Sequence, residues 1–499
     1  MRSLQFRLLK DLNKVETAFH IKSTLLFRGY CLLFVCSFII AIVFEQPAFY
    51  AIPFVALMVP IVIARPSFMF LLLLITLPLS MEYQVTPSLG TDFPDEIMMW
   101  MTTGVFILLV IAQPGIIKKQ FYRHPLFYLL MLHIAWIFMS AIFAQEPLLS
   151  IKYFLAKTWY IIPFVFFIQV FLEERRSFLW IILCLVIPMV LVVLQSVYRH
   201  FFFGFKFESI NKTVIPFFRN HVNYAAMLAC MFPLILALHY HCRSLRWQRV
   251  IKIFIFVFLC GIILSYSRGA WLALVSGGVV YLCTKWKMIR GLLLSLTLLI
   301  VGSFAWMGHQ NKYLDFRPDF NKTIFHTDFS QHMSATYHFR DLSTGERFYR
   351  WIAAIRLSGD HSLTGVGPNN FYSNYKPYAV SAYKTWVSRN TEHSTVHNYF
   401  ILLLCEQGIP GLLFFVTLLF ASFLYAEKIY HRSGGIKKTA SITIGCILGI
   451  ITTLNFLSDL VETDKIGSLF FISLGILIWL DIRTSLLHQG HPEGHSPTY

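Results

Sequence analysis

Apolar runs of roughly 17–25 residues, the length that carries a helix across a bilayer, recur along this chain from residue 28 to residue 482. Working spans are 28–45, 48–65, 67–81, 97–113, 126–144, 154–172, 177–197, 221–241, 250–266, 270–284, 290–307, 398–425, 439–458 and 466–482. The second contains Pro53 and Pro60, and the third is short and carries Pro78, so the pattern predicts about 12 to 14 crossings. Helix is the state that satisfies every backbone amide in lipid from within one segment. The period-two alternation of a membrane β-barrel is absent. The predicted fold class is therefore an all-α integral membrane protein, with one large polar loop between the third- and fourth-last spans.

That loop divides the chain. A basic arm over 1–27 precedes a bundle over 28–307, the loop over 308–397, C-terminal helices over 398–482 and a tail over 483–499. The loop far exceeds the usual connection of about 4–6 residues, and long loops tend to carry function. Within it, Phe348, Trp351, Ile352, Ile355 and Leu357 recur at helical spacing and predict a helix over 346–358. Neither a parallel nor an inverted repeat is visible.

The basic residues orient the spans. Lys118, Lys119 and Arg123; Arg175 and Arg176; Arg243, Arg246 and Arg249; Lys285, Lys287 and Arg290; and Lys428, Arg432, Lys437 and Lys438 fall on one side if the spans alternate. That side is expected to be cytoplasmic. Both termini then lie inside, and the acidic stretch 81–96 and the large loop are expected to lie outside, on the periplasmic face. The stretch Met1–Lys22 is basic and lacks a small-residue cleavage site, which predicts a cytoplasmic arm and not a cleaved leader.

Composition supports lipid as the solvent. Hydrophobic residues make up 57% and charged residues 13%, against about 45–50% and 25% in a soluble domain. The net charge of +17 is scattered in short clusters between apolar runs, which argues against a nucleic-acid partner. The nine cysteines show no CxxC spacing, so neither a disulfide framework nor a zinc site is expected.

The unusual polar residues gather at the outer ends of the spans. Ser265-Tyr266-Ser267-Arg268-Gly269-Ala270 joins an outgoing span to a returning one with almost no loop. Arg268 there is either a snorkelling anchor or a fixed anion site, since guanidinium presents a planar fork to phosphate. Arg219-Asn220-His221-Val222-Asn223 opens a span, where the helix N-terminus favours an anion. Capping by Asn220 would explain that residue but not Arg219 or His221. Lys157 lies a turn inside its span, and snorkelling competes with anion binding there. Glu392-His393-Ser394-Thr395-Val396-His397-Asn398 ends the large loop. A zinc reading of the two histidines lacks HExxH spacing and a third ligand. A general base fits better, because an imidazole titrates near neutrality. Glu406-Gln407-Gly408-Ile409-Pro410-Gly411 reads as an element that bends a helix.

Taken in order, these blocks resemble the O-antigen ligase family. The match rests on Ser267-Arg268-Gly269-Ala270, on Trp351 followed by Gly365-Val366-Gly367-Pro368-Asn369-Asn370-Phe371, on His397-Asn398-Tyr399, and on Glu406 to Gly411, with Arg219 and Asn223 as a weaker fifth block. It covers roughly 219–425. The resemblance implies transfer of a glycan from an undecaprenyl-diphosphate-linked donor to an acceptor hydroxyl, with inversion. The acceptor would be lipid A–core in a ligase, a second lipid-linked repeat in a polymerase, or a protein hydroxyl in an oligosaccharyltransferase. It implies no cofactor and no metal. It assigns catalysis to His397, Arg268 and Arg219, and substrate binding to Arg268, Arg219, His221, Asn398 and Lys157. A transporter of lipid-linked glycans is the competing class, and repeats or charges deep in the spans would favour it.

Overall fold

The structure is a computed structural model that describes residues 23–43, 52–53, 56, 65–86, 89–172, 175–316, 342–380, 383 and 395–488. The chain divides into two compact units, 1–69 and 70–499. In the first, helix α1 (Ser23–Val43) leaves Leu32, Ile39 and Val43 exposed, as suits a helix whose solvent is lipid. Residues 1–22 of the predicted arm, almost all of the predicted span 48–65, residues 317–341, 381–382 and 384–394 of the large loop (His393 among them), and the last eleven residues lie outside the described residues.

Helix α2 (Pro66–Thr76) leads into the second unit. There the order is hairpin β1 (Met81–Thr86) and β2 (Leu89–Phe93), then α3 (Asp95–Ala112), α4 (Pro125–Ile142) and α5 (Pro147–Ile161). It continues with α6 (Arg175–Phe202), α7 (His221–His241), α8 (Leu245–Leu264), α9 (Arg268–Lys285) and α10 (Ile289–Gly308). The loop helix α11 (Leu342–Asp360) precedes α12 (Tyr399–Arg432), α13 (Gly435–Leu457) and α14 (Asp464–His488). Among the described residues ten helices are long and apolar enough to cross a membrane by length and composition, and Gly29–Ile40 and Pro66–Leu79 are shorter apolar helices. With α9, which begins at Arg268 and ends at Lys285, these account for every predicted span except that at 48–65. The chain is a multi-pass, almost wholly helical membrane protein.

Helices α13 and α14 are apolar on nearly all faces and are buried over most of their length, so they form the centre. Helix α10 buries Ile289 and Leu293 near its start and leaves most of its apolar stretch exposed. Helices α9 and α13 pack closely along their length through small residues. A methyl on Gly277 would lie 3.0 Å from Ile450, and one on Gly449 would lie 2.7 Å from Val280. Ser276 Oγ donates to the Gly449 carbonyl (3.2 Å), and Thr453 Oγ1 donates to Ser276 Oγ (2.7 Å). Close approach and interhelical hydrogen bonds hold helices together where lipid removes the hydrophobic drive.

Two local outcomes differ from the sequence reading. The acidic stretch 81–96 is a β-hairpin running into α3, with Met81 opposite Phe93 and Glu82 opposite Asp92. The loop helix forms as expected but turns Ala353, Ala354 and Leu357 inward, leaving Ile355 exposed. Helix α12 breaks at Gly408 (φ 70°, ψ −173°), where the Gly/Pro pattern predicts a bend.

Candidate functional site

Residues 456–465, which run from the last turn of α13 through the short connection to the start of α14, are where the predicted site residues meet. Asn398 caps α12 by accepting from the Ile401 amide (3.1 Å), and its Nδ2 donates to the Phe456 carbonyl (3.0 Å). The Tyr399 amide donates to the Ser458 carbonyl (3.2 Å). Val396 and Asn398 are thus buried on either side of His397. His397 takes a left-handed backbone, φ 56°, which is costly for a residue with a side chain and recurs at functional sites. Its imidazole stays 37% exposed, with Nδ1 3.9 Å from Asp459 Oδ1. That distance exceeds a hydrogen bond.

The large loop is bolted beside this histidine. Val366 and Gly367 amides donate to the carbonyls of Cys405 (3.0 Å) and Glu406 (2.9 Å) at the bend of α12. The buried Glu406 carboxylate accepts from the amides of Asn369 (2.8 Å) and Phe371 (3.0 Å). Gly365 (φ 69°) and Gly367 (φ 103°) have no room for a side chain, since a methyl would run into the backbone of Glu406 or into Ala144. Loop helix α11 packs Trp351 edge-on to Phe456 (6.2 Å) and pairs Arg350 with Glu346 (3.2 Å). Burial, then the charges of Arg350 and Arg347, push the His397 imidazole down to about 4 against the opposing pull of Glu346. Burial raises the Asp459 carboxyl above its ordinary range.

Arg268 is half-buried as the first residue of α9. The turn before it is held by Tyr266 (φ 53°), whose hydroxyl donates to the Phe205 carbonyl (2.7 Å). A methyl on the next residue, Gly269, would lie 3.2 Å from Leu457. Arg268 and His397 therefore flank one turn, at residues 456–459.

With these blocks in place, residues 253–416 match the family model described as O-Antigen ligase. The chain carries an O-antigen ligase family domain. No curated protein matches it. The domain contains Arg268, the glycine-rich loop anchor, His397 and the bend at Gly408, whereas Arg219, Lys157 and the 456–465 turn lie outside the matched stretch.

Those outlying residues meet the far end of the same turn. Arg219, exposed, lines a cavity of about 310 Å³ with Asp92, Glu96, Glu462, Asp464 and Lys465. Asn220 caps α7 by accepting from the Asn223 amide (2.9 Å), which accounts for Asn220 and leaves Arg219 unexplained by capping. His221 Nδ1 lies 2.8 Å from Asn211 Oδ1. Lys157 is buried and ion-paired with Glu462 (2.8 Å), which also accepts from Tyr153 (2.8 Å). The ligase-domain residues thus gather at 456–459, and Arg219 and Lys157 at 462–466. Sequence reasoning missed Asp459, Glu462, Asp464 and Lys465. Their signal was three acids crowded into one short connection between two spans.

Proposed function

We propose that this enzyme transfers a glycan from an undecaprenyl-diphosphate-linked donor to an acceptor hydroxyl on the periplasmic face of a bacterial inner membrane. The acceptor we assign is lipid A–core, which makes the reaction O-antigen ligation in lipopolysaccharide biosynthesis. The convergence of His397 and the Arg268-Gly269 junction on one turn carries this reading.

His397, neutral at physiological pH, takes the proton of the acceptor hydroxyl. The hydroxyl oxygen forms the new bond to the anomeric carbon from the side opposite the carrier. The bond from that carbon to the diphosphate oxygen breaks with its electron pair, and the configuration inverts. Arg268 and Arg219 receive the charge that develops on the departing diphosphate, as preorganised cations do in charge-separating steps. His221 stands beside Arg219, Lys157 is held ready on Glu462, and Asn398 fixes the backbone that aims His397. No metal takes part in the bond-making step.

A pH profile tests the assignment of the base. The acid limb of kcat/KM reports the base of the free enzyme and is expected near pH 4, where His397 titrates, with activity lost as pH falls through it. Arg350→Gln removes a positive neighbour and should move the limb up toward the ordinary imidazole value of about 6.5. A wild-type limb already at that value, or one unmoved by the substitution, contradicts the assignment.

The acceptor is tested by a lipopolysaccharide gel from a strain lacking the gene. Free lipid A–core with full-length polymer accumulating on its carrier is the result expected of a ligase. Core capped with single repeats indicates a polymerase. Unchanged lipopolysaccharide with unglycosylated surface protein indicates a protein oligosaccharyltransferase.

A further inference from the structure

The outer end of the bundle also holds a knot of carboxylates, one buried and two half-buried, that the transfer step does not use. Asp92 on β2, Asp95 at the start of α3 and Asp464 at the start of α14 each bring an oxygen to within 4.8 Å of the others. Asp95 is fully buried. Its Oδ1 accepts from the Glu96 amide (3.0 Å), but its Oδ2 is buried with no hydrogen-bond partner, and so is Asp464 Oδ2. A buried carboxylate oxygen left without a donor is costly. The hairpin register adds Glu82 directly across from Asp92, a like-charge pairing that destabilises a ladder.

The cation closest in sequence cannot balance this. Lys465 Nζ donates to the carbonyls of Ser80 (2.8 Å) and Phe217 (2.7 Å) and lies over the Phe218 ring (4.4 Å). Glu82, Asp92, Asp95, Glu96 and Asp464 against Lys465 and Arg219 leave an excess of negative charge, which a divalent cation reduces. Oxygen-only ligands of this kind select hard ions. Asp92 and Asp464, with Glu82 and Glu96, wall the cavity that Arg219 lines, and Asp95 lies buried behind them; a negative wall there would repel a diphosphate.

We propose that Asp92, Asp95 and Asp464 hold one hard divalent cation of the calcium, magnesium and manganese class. The ion ties the hairpin and α3 to the N-terminus of α14, and it neutralises the cavity wall beside Arg219. The binding site stands on its own geometry. Its service to the donor rests on the diphosphate reading given above.

The test uses the full chain, purified, stripped with a chelator and titrated with Mn²⁺ by paramagnetic resonance. One saturable site that Ca²⁺ or Mg²⁺ displaces is expected, with a rise in melting temperature on binding. Asp92→Asn and Asp464→Asn, each close in shape to the native residue, should weaken Mn²⁺ by about tenfold or more, and Glu208→Gln should not. Absence of saturable binding overturns the site. So does Mn²⁺ affinity unchanged by both asparagine substitutions, or a melting temperature that both substitutions raise without metal, which marks carboxyls that share protons. Mn²⁺ binding with the donor KM unaltered by stripping keeps the site and removes its link to the diphosphate. Missing Mn²⁺ binding beside normal glycan transfer removes the site and leaves the transfer reading standing.

Discussion

Replacing Arg268 with alanine is expected to lower transfer by about 10²–10³-fold, the loss typical of removing one preorganised partner of a developing negative charge, at unchanged protein levels in the membrane. Arg268→Lys should recover little of it. Lysine keeps the charge but loses the bidentate fork, and from the first position of α9 a shorter reach to phosphate oxygens follows. The measurement is glycan transfer by membranes matched for enzyme content. Gly269 abuts Leu457, so Arg268 starts its helix beside the turn that His397 flanks from the other side, and an anchoring role alone predicts a loss of stability in place of a loss of rate. Full activity in Arg268→Ala would return this residue to that anchoring role.

The second large effect concerns His397. His397→Ala should reduce turnover by about 10²–10⁴-fold, the range attributed to a positioned base, while binding of the lipid-linked donor persists. The separation follows from geometry. His397 stands on the α12 side of the turn with Asp459 at 3.9 Å, and the arginine proposed to hold the diphosphate stands on the α9 side. His393→Ala is the control, expected to retain substantial activity, because the family block falls on His397 and Asn398. Donor affinity that collapses with turnover would place His397 at the diphosphate, and an equal requirement for His393 would revive the two-histidine metal reading.

Much of this architecture is legible in the sequence because membrane spans announce themselves by length and hydropathy. The loop helix is legible too, through Phe348, Trp351 and Ile352. The hairpin at 81–93 is not, since its acids mask any alternation, and two short strands leave a weak periodic signal. Arg268 and His397 stand out as charged or titratable residues at span junctions. Their partners do not. Lys157 meets Glu462 across 305 residues of chain, and Arg347 and Arg350 reach His397 only because the glycine-rich segment 365–371 pins α11 to the bend of α12. Nothing local marks Asp459 as the residue beside the histidine. Such pairings depend on which helix ends the bundle brings together, and that is a property of packing.

The central claim is that this protein cuts a glycan from a lipid diphosphate and joins it to an acceptor hydroxyl. It is tested most directly with purified enzyme in lipid nanodiscs, supplied with undecaprenyl-diphosphate-linked glycan and lipid A–core. The account predicts a new glycosidic bond of inverted anomeric configuration, with one undecaprenyl diphosphate released for each glycan transferred. Retained configuration, or an intact carrier-linked glycan that is merely moved across the bilayer when the same protein is placed in sealed vesicles, would contradict it.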